Sequence, residues 1–109
     1  MTIKKINVFK YDDALRVLKA FMRKNRLPAR RFLKYCGIKS TNFICEVMHS
    51  RQMLRGTKMC RIMDAMGLEG FEGIYFGALL DLQNARGGEL KKHCRDNVRL
   101  LKKIIYKLK

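Results

Sequence analysis

Apolar residues recur every three or four positions along most of the chain and do not alternate over any stretch. That period gives a helix one buried face, so the pattern predicts short amphipathic helices and no sheet. The first is expected from about Asp12 to Lys24. Asp12 or Asp13 would accept from the free N–H groups at its start, and Leu15, Leu18, Phe21 and Met22 would form its apolar stripe. A second helix opens at Pro28, the one proline, and stops at Gly37, with Phe32, Leu33 and Cys36 inward. A third starts at Ser40 or Thr41 as N-cap and ends near Ser50. A fourth follows Gly56, capped by Thr57, and closes at Gly67, with Met59, Ile62, Met63 and Met66 inward. A fifth covers roughly Phe71 to Arg86, with Ile74, Tyr75, Ala78, Leu79 and Leu82 inward. "RGG", Arg86 to Gly88, breaks the chain, and a last helix begins at Glu89.

The expected fold class is therefore all-α. Residues 1–88 form a compact bundle of five short helices, and residues 89–109 form a basic amphipathic C-terminal helix. At 109 residues with 48 % hydrophobic side chains, the chain suffices for one domain with one core.

Charge changes the picture. Lys and Arg number 25 against nine acids, a net +16. Such an excess repels itself, and it points to a polyanionic partner, nucleic acid before an anionic membrane. It is also uneven. Residues 1–61 hold 16 bases and three acids, residues 62–89 one base and five acids, and residues 90–109 eight bases and one acid. The first helices carry the main positive field and the middle of the chain reads as scaffold. No run of 18 apolar residues spans a membrane, and "MTIKKINVFKYDD" lacks the apolar core of a secretory signal. Cys36, Cys45, Cys60 and Cys94 form no C-x-x-C pair. They read as reduced, mostly buried thiols of a cytoplasmic protein, with no metal site and no cofactor.

The stretch "CGIKSTNFICEVMHSRQ", Cys36 to Gln52, has the order of a helix-turn-helix: helix, Gly37, one apolar residue (Ile38), then a second capped helix. On that second helix Phe43, Ile44, Val47 and Met48 face the core. Asn42, Cys45, Glu46 and His49 face outward, with Thr41 and Ser40 at the tip. These are short polar groups suited to base edges, and Asn bonds adenine bidentately. Arg30, Arg31 and Lys34 line the preceding helix, Lys39 lies in the turn, and Arg51 and Arg55 follow, all placed to reach phosphates. Glu46 counts against this face, unless it accepts from a cytosine amino group or pairs with a neighbouring Arg.

Those residues also resemble the N-terminal part of an uncharacterised bacterial family of helix-turn-helix transcriptional regulators, over about residues 9–92. The likeness rests on Phe9, Tyr11, Asp12 and Asp13; on Phe32 and Gly37, with Cys36 where the family has Ala; on Ser40 and Phe43, with Thr41 where it has Pro; on "AMGL", Ala65 to Leu68; and on Tyr75 and Phe76. The resemblance implies an all-helical fold similar to phage-repressor DNA-binding domains. The family's Gly-Lys-Arg-Asn-Leu-Ser is "SRQMLR" here, Ser50 to Arg55, and its Asn-Gln-Ala-Lys is "QNAR". The lost Gly predicts a differently shaped exit from the third helix.

In the last helix Cys94, Val98, Leu101, Ile105 and Leu108 follow 4-3-4-3 spacing, with Ile104 beside them. That seam packs on the domain's own core, pairs two chains through residues 89–109, or lies on an anionic lipid surface. Two histidines, no phosphate-cradling Gly loop and no His-Glu-x-x-His argue against an enzyme, and no small-molecule substrate is evident. The leading expectation is sequence-specific double-stranded DNA binding in transcription regulation, with the protein on the nucleoid. The alternative is a non-specific RNA- or nucleoid-binding protein.

Overall fold

The computed structural model describes residues 3–40 and 42–108. Among these residues, six α-helices follow one 3-10 turn at Val8–Lys10: α1 Ala14–Lys24, α2 Ala29–Cys36, α3 Phe43–Met48, α4 Gly56–Ala65, α5 Phe71–Asn84 and α6 Gly88–Lys107. Among the described residues there is no strand.

One core joins all six helices, running from Ile6 and Val8 to Val98 and Ile105. Tyr75, Phe21, Phe32, Phe43 and Phe76 are its largest fully buried side chains. Phe21 meets Phe32 with ring centroids 5.6 Å apart, which locks α1 to α2. Phe9 stands edge-on to Tyr75 at 5.4 Å, and the Tyr75 hydroxyl donates to the Tyr11 carbonyl at 2.6 Å. The buried ring thus keeps its polar end satisfied. Asp13 caps α1, accepting from Leu15 N–H at 2.8 Å, while Asp12 pairs with Lys102 of α6.

Helices α1 to α4 all stop in the same way. In each, the first or second residue past the helix turns left-handed: Arg26 (φ 53°), Gly37 (77°), Ser50 (57°) and Gly67 (71°). The next N–H reaches five residues back, Leu27 to Met22, Ile38 to Leu33, Arg51 to Glu46 and Leu68 to Met63, at 2.8–3.1 Å. This paired-bond cap satisfies carbonyls that a helix end leaves free. Ser50, though not a glycine, takes the left-handed conformation, so the exit of α3 has the same cap as the ends of α1, α2 and α4.

Several inward assignments shift. Met59 and Met63 lie half-buried against the core, but Ile74 is 54 % exposed, whereas Phe76 and Leu80 are buried. A 14-residue helix with apolar residues on nearly every side does not reveal its buried face by spacing alone. On α6, Val98 and Ile105 join the core and Cys94 and Leu101 are half-buried, so the seam packs inside the chain against α5; Leu108 and Ile104 stay exposed. Only Cys36 of the four thiols is buried; Cys45 and Cys60 are exposed and Cys94 intermediate, all free. Burial pushes the Cys36 thiol up to about 12.

Among the described residues, no helix is long and apolar enough to cross a membrane.

Candidate nucleic-acid interface

The turn between α2 and α3 is built by backbone rules. Pro28 is the N-cap of α2 rather than its first helical residue, and Gly37 ends the helix in a left-handed conformation that L side chains resist. Ile38 then folds back, buried, against Leu33. A helix from another part of the sequence fixes this turn. Arg61 of α4 donates to the Gly37 carbonyl, and Lys58 of α4 stands 4.3 Å above the Phe43 ring. Charge near an aromatic face is attracted to its π-electrons. Sequence reasoning missed both residues. The only available signal was that 58 and 61 share one face of α4, three positions apart.

α3 is shorter than expected. It spans six residues, and its first intrahelical bond runs from Glu46 N–H to the Asn42 carbonyl at 2.9 Å. Asn42, not Ser40, therefore occupies the N-cap, and its side chain makes no capping bond. Ser40 stays in the connection, exposed, and Thr41 lies outside the described residues. Thr57 likewise falls inside α4, whose N-cap is Arg55.

Phe43, Ile44 and Val47 are buried, which turns Asn42, Cys45, Glu46 and His49 to the outside. These four fall at i, i+3, i+4 and i+7, on one face. No Lys or Arg stands among them. His49 Nδ1 lies 2.8 Å from the Cys45 carbonyl and 3.6 Å from Cys45 Sγ. A carbonyl can only accept, so in the neutral ring Nδ1 carries the proton and Nε2 is left as an outward acceptor. Glu46 is not alone: its carboxylate lies 4.0 Å from the Arg51 guanidinium.

The bases lie at both ends of α3. Arg30, Lys34, Lys39 and Ser40 surround a cleft of about 520 Å³ that also reaches Leu33, Gly37 and Ile38. No acid lines it. Arg31 is exposed on α2 outside that cleft, and Arg51 and Arg55 are exposed beyond the exit of α3. The turn thus brings three of the expected phosphate ligands together, and the exit carries two more.

Compared with family models, curated proteins and solved structures, the chain matches none.

Proposed function

We propose that this chain binds duplex DNA through α2, the Gly37 turn and α3, and acts as a transcriptional regulator on the nucleoid. The observation that carries the reading is the division of labour around α3. Its exposed face is Asn42, Cys45, Glu46 and His49, free of Lys and Arg, while cations stand at both ends. A merely solvated basic surface has no reason to keep cations off one helix face. A groove reader does, since base edges are recognised by short hydrogen-bonding groups and phosphates by Arg and Lys.

In this reading Asn42 and the His49 Nε2 contact base edges. Arg30, Lys34 and Lys39 hold one stretch of backbone, and Arg51 and Arg55 another; Arg31 adds to the field. Lys58 and Arg61 fix the turn and add positive charge beside it. A palindromic operator would need two chains with their α3 helices about 34 Å apart.

Titrating a fluorescent duplex at several salt concentrations tests the reading. With about six phosphates contacted, affinity falls about three decades between 50 and 200 mM salt. Affinity that ignores salt contradicts it. The second reading, non-specific RNA or nucleoid binding, draws on the exposed bases of α6. Structured RNA that competes as well as the selected duplex would favour it.

A further inference from the structure

Six of the eight large apolar side chains that the described residues expose lie on α5 and α6, among them Ile74, Leu100 (55 %) and Ile104, and Leu108 caps the end of α6. Part of this surface is concave. A groove of about 430 Å³ runs between α4, α5 and α6, lined by Met59, Ile74, Gly77, Asp81, Asn97 and Leu101 among others. Beside it stands a ridge. Leu100, Lys103, Ile104 and Lys107 fall at i, i+3, i+4 and i+7 on one face of α6. Asn97, one turn before Leu100, is shared by both features.

We infer that the ridge of a second copy of this chain seats in the groove, and that the pairing is two-fold, so each copy offers one ridge and one groove. Three observations choose this occupant. The groove takes a ridge, not a plane. Its flank carries Asp81, and α5 has two acids and no base, whereas Lys103 and Lys107 flank the apolar pair on the ridge. Leu100 and Ile104 then meet Ile74, and Lys103 or Lys107 of the second copy meets Asp81. An anionic bilayer or a nucleic acid would leave Asp81 without a cationic partner.

The third observation is Gly77. A glycine inside a helix costs stability relative to alanine. Gly73, one turn earlier, has a reason within the chain: a Cβ there would stand 3.2 Å from the Met63 methyl. Gly77 has none, since a Cβ there would meet nothing within 4 Å. Its missing side chain deepens the groove for something outside the chain. Of the uses expected for the α6 seam, packing on the chain's own core is the one the fold makes, so the pairing surface is its neighbouring face.

This inference does not rest on the DNA reading, and its test uses no DNA. Sedimentation equilibrium of the full chain is run at about 0.3 M salt, where self-repulsion is screened beyond roughly 6 Å. The mass should approach twice 12.8 kDa as concentration rises. Ile104→Glu on the ridge and Gly77→Lys in the groove should each raise the dimer dissociation constant about 30-fold or more, with helicity by circular dichroism unchanged. Mixing the two variants restores one intact ridge-in-groove half, so the mixture should associate more tightly than either alone. A monomer up to about 1 mM, above the weakest range of specific association, overturns the inference. So do variants that leave the dimer unweakened, or a mixture without recovery. A monomeric chain that binds phosphatidylglycerol vesicles, and loses them with Ile104→Glu, assigns the face to lipid and also overturns it.

Discussion

Glu46 and Arg51 occupy, at the end of α3, the two positions that are apolar at the ends of α1, α2 and α4. There the pairs are Met22 with Leu27, Leu33 with Ile38, and Met63 with Leu68, each joined by the bond that closes the cap. At α3 the same backbone bond joins Arg51 N–H to the Glu46 carbonyl at 2.8 Å, and the side chains form a loose ion pair at 4.0 Å. An apolar pair seals a helix end onto a core. A charged pair leaves this end open to solvent or to a polar partner. It also answers the objection that Glu46 would repel phosphate, because Arg51 offsets its charge.

Removing the carboxylate should therefore sharpen, not abolish, electrostatic binding. Glu46→Gln is expected to tighten binding to random duplexes, since the carboxylate no longer competes with the phosphate for Arg51. Stability should change by no more than about 1 kcal/mol, as the pair is loose and its Arg51 end is exposed. Anisotropy titrations across salt check this, and weaker binding to random DNA would speak against the pairing.

The left-handed residue after α3 carries strain that glycine lacks. Ser50→Gly should stabilise the protein by about 1 kcal/mol, and Gly37→Ala should destabilise it by about 1–2 kcal/mol, since both positions have positive φ. Near Gly37 a Cβ would find its nearest neighbour, Arg61, at 3.7 Å, so the penalty is conformational rather than a clash. Urea unfolding measures both, and a Ser50→Gly variant no more stable than the parent would refute the strain.

Asn42 and Lys39 are expected to fail differently. Asn42→Ala should cost about 1–3 kcal/mol on a cognate duplex and little on random DNA. Lys39→Ala should weaken all duplexes alike and flatten the salt slope by about one. Equal losses on both duplexes for Asn42→Ala would remove it from base reading.

Stability should decline in alkali. The Cys36 thiol ionises at 9.0 in the unfolded chain and at about 12 when buried. Between those values the unfolded state sheds a proton that the folded state keeps, so stability is full below pH 9 and is lost as pH rises toward 12. The loss is at most about 1.4 kcal/mol per pH unit from this group. Tyr75, raised mainly by burial, and Lys102, raised mainly by its bond to Asp12, act in the same direction above pH 10. Urea midpoints across pH should fall for the parent and fall less steeply for Cys36→Ala.

The sequence made the all-helical class and most helix limits legible because they depend on local rules. Asp13, Gly37 and Gly67 sit at helix ends where such residues are favoured. It misplaced what depends on the tertiary context. Ser40 has a good capping side chain, yet the start of α3 falls at Asn42. Ile74 looks as apolar as Phe76, and only the neighbouring helices decide which is buried. Arg61 at the Gly37 carbonyl spans 24 positions, and no short-range pattern announces it. The outward turn of Asn42, Cys45 and His49 on α3 was legible, because three buried residues fix the orientation of a two-turn helix, while Thr41, expected at its tip, lies outside the described residues.

Whether that face reads bases is tested most directly by selecting bound duplexes from a random pool with the full chain and sequencing them. The account predicts one enriched motif, palindromic if two chains bind together, and its loss when Asn42→Ala is used instead. A pool that stays random, or a motif indifferent to Asn42, would contradict it.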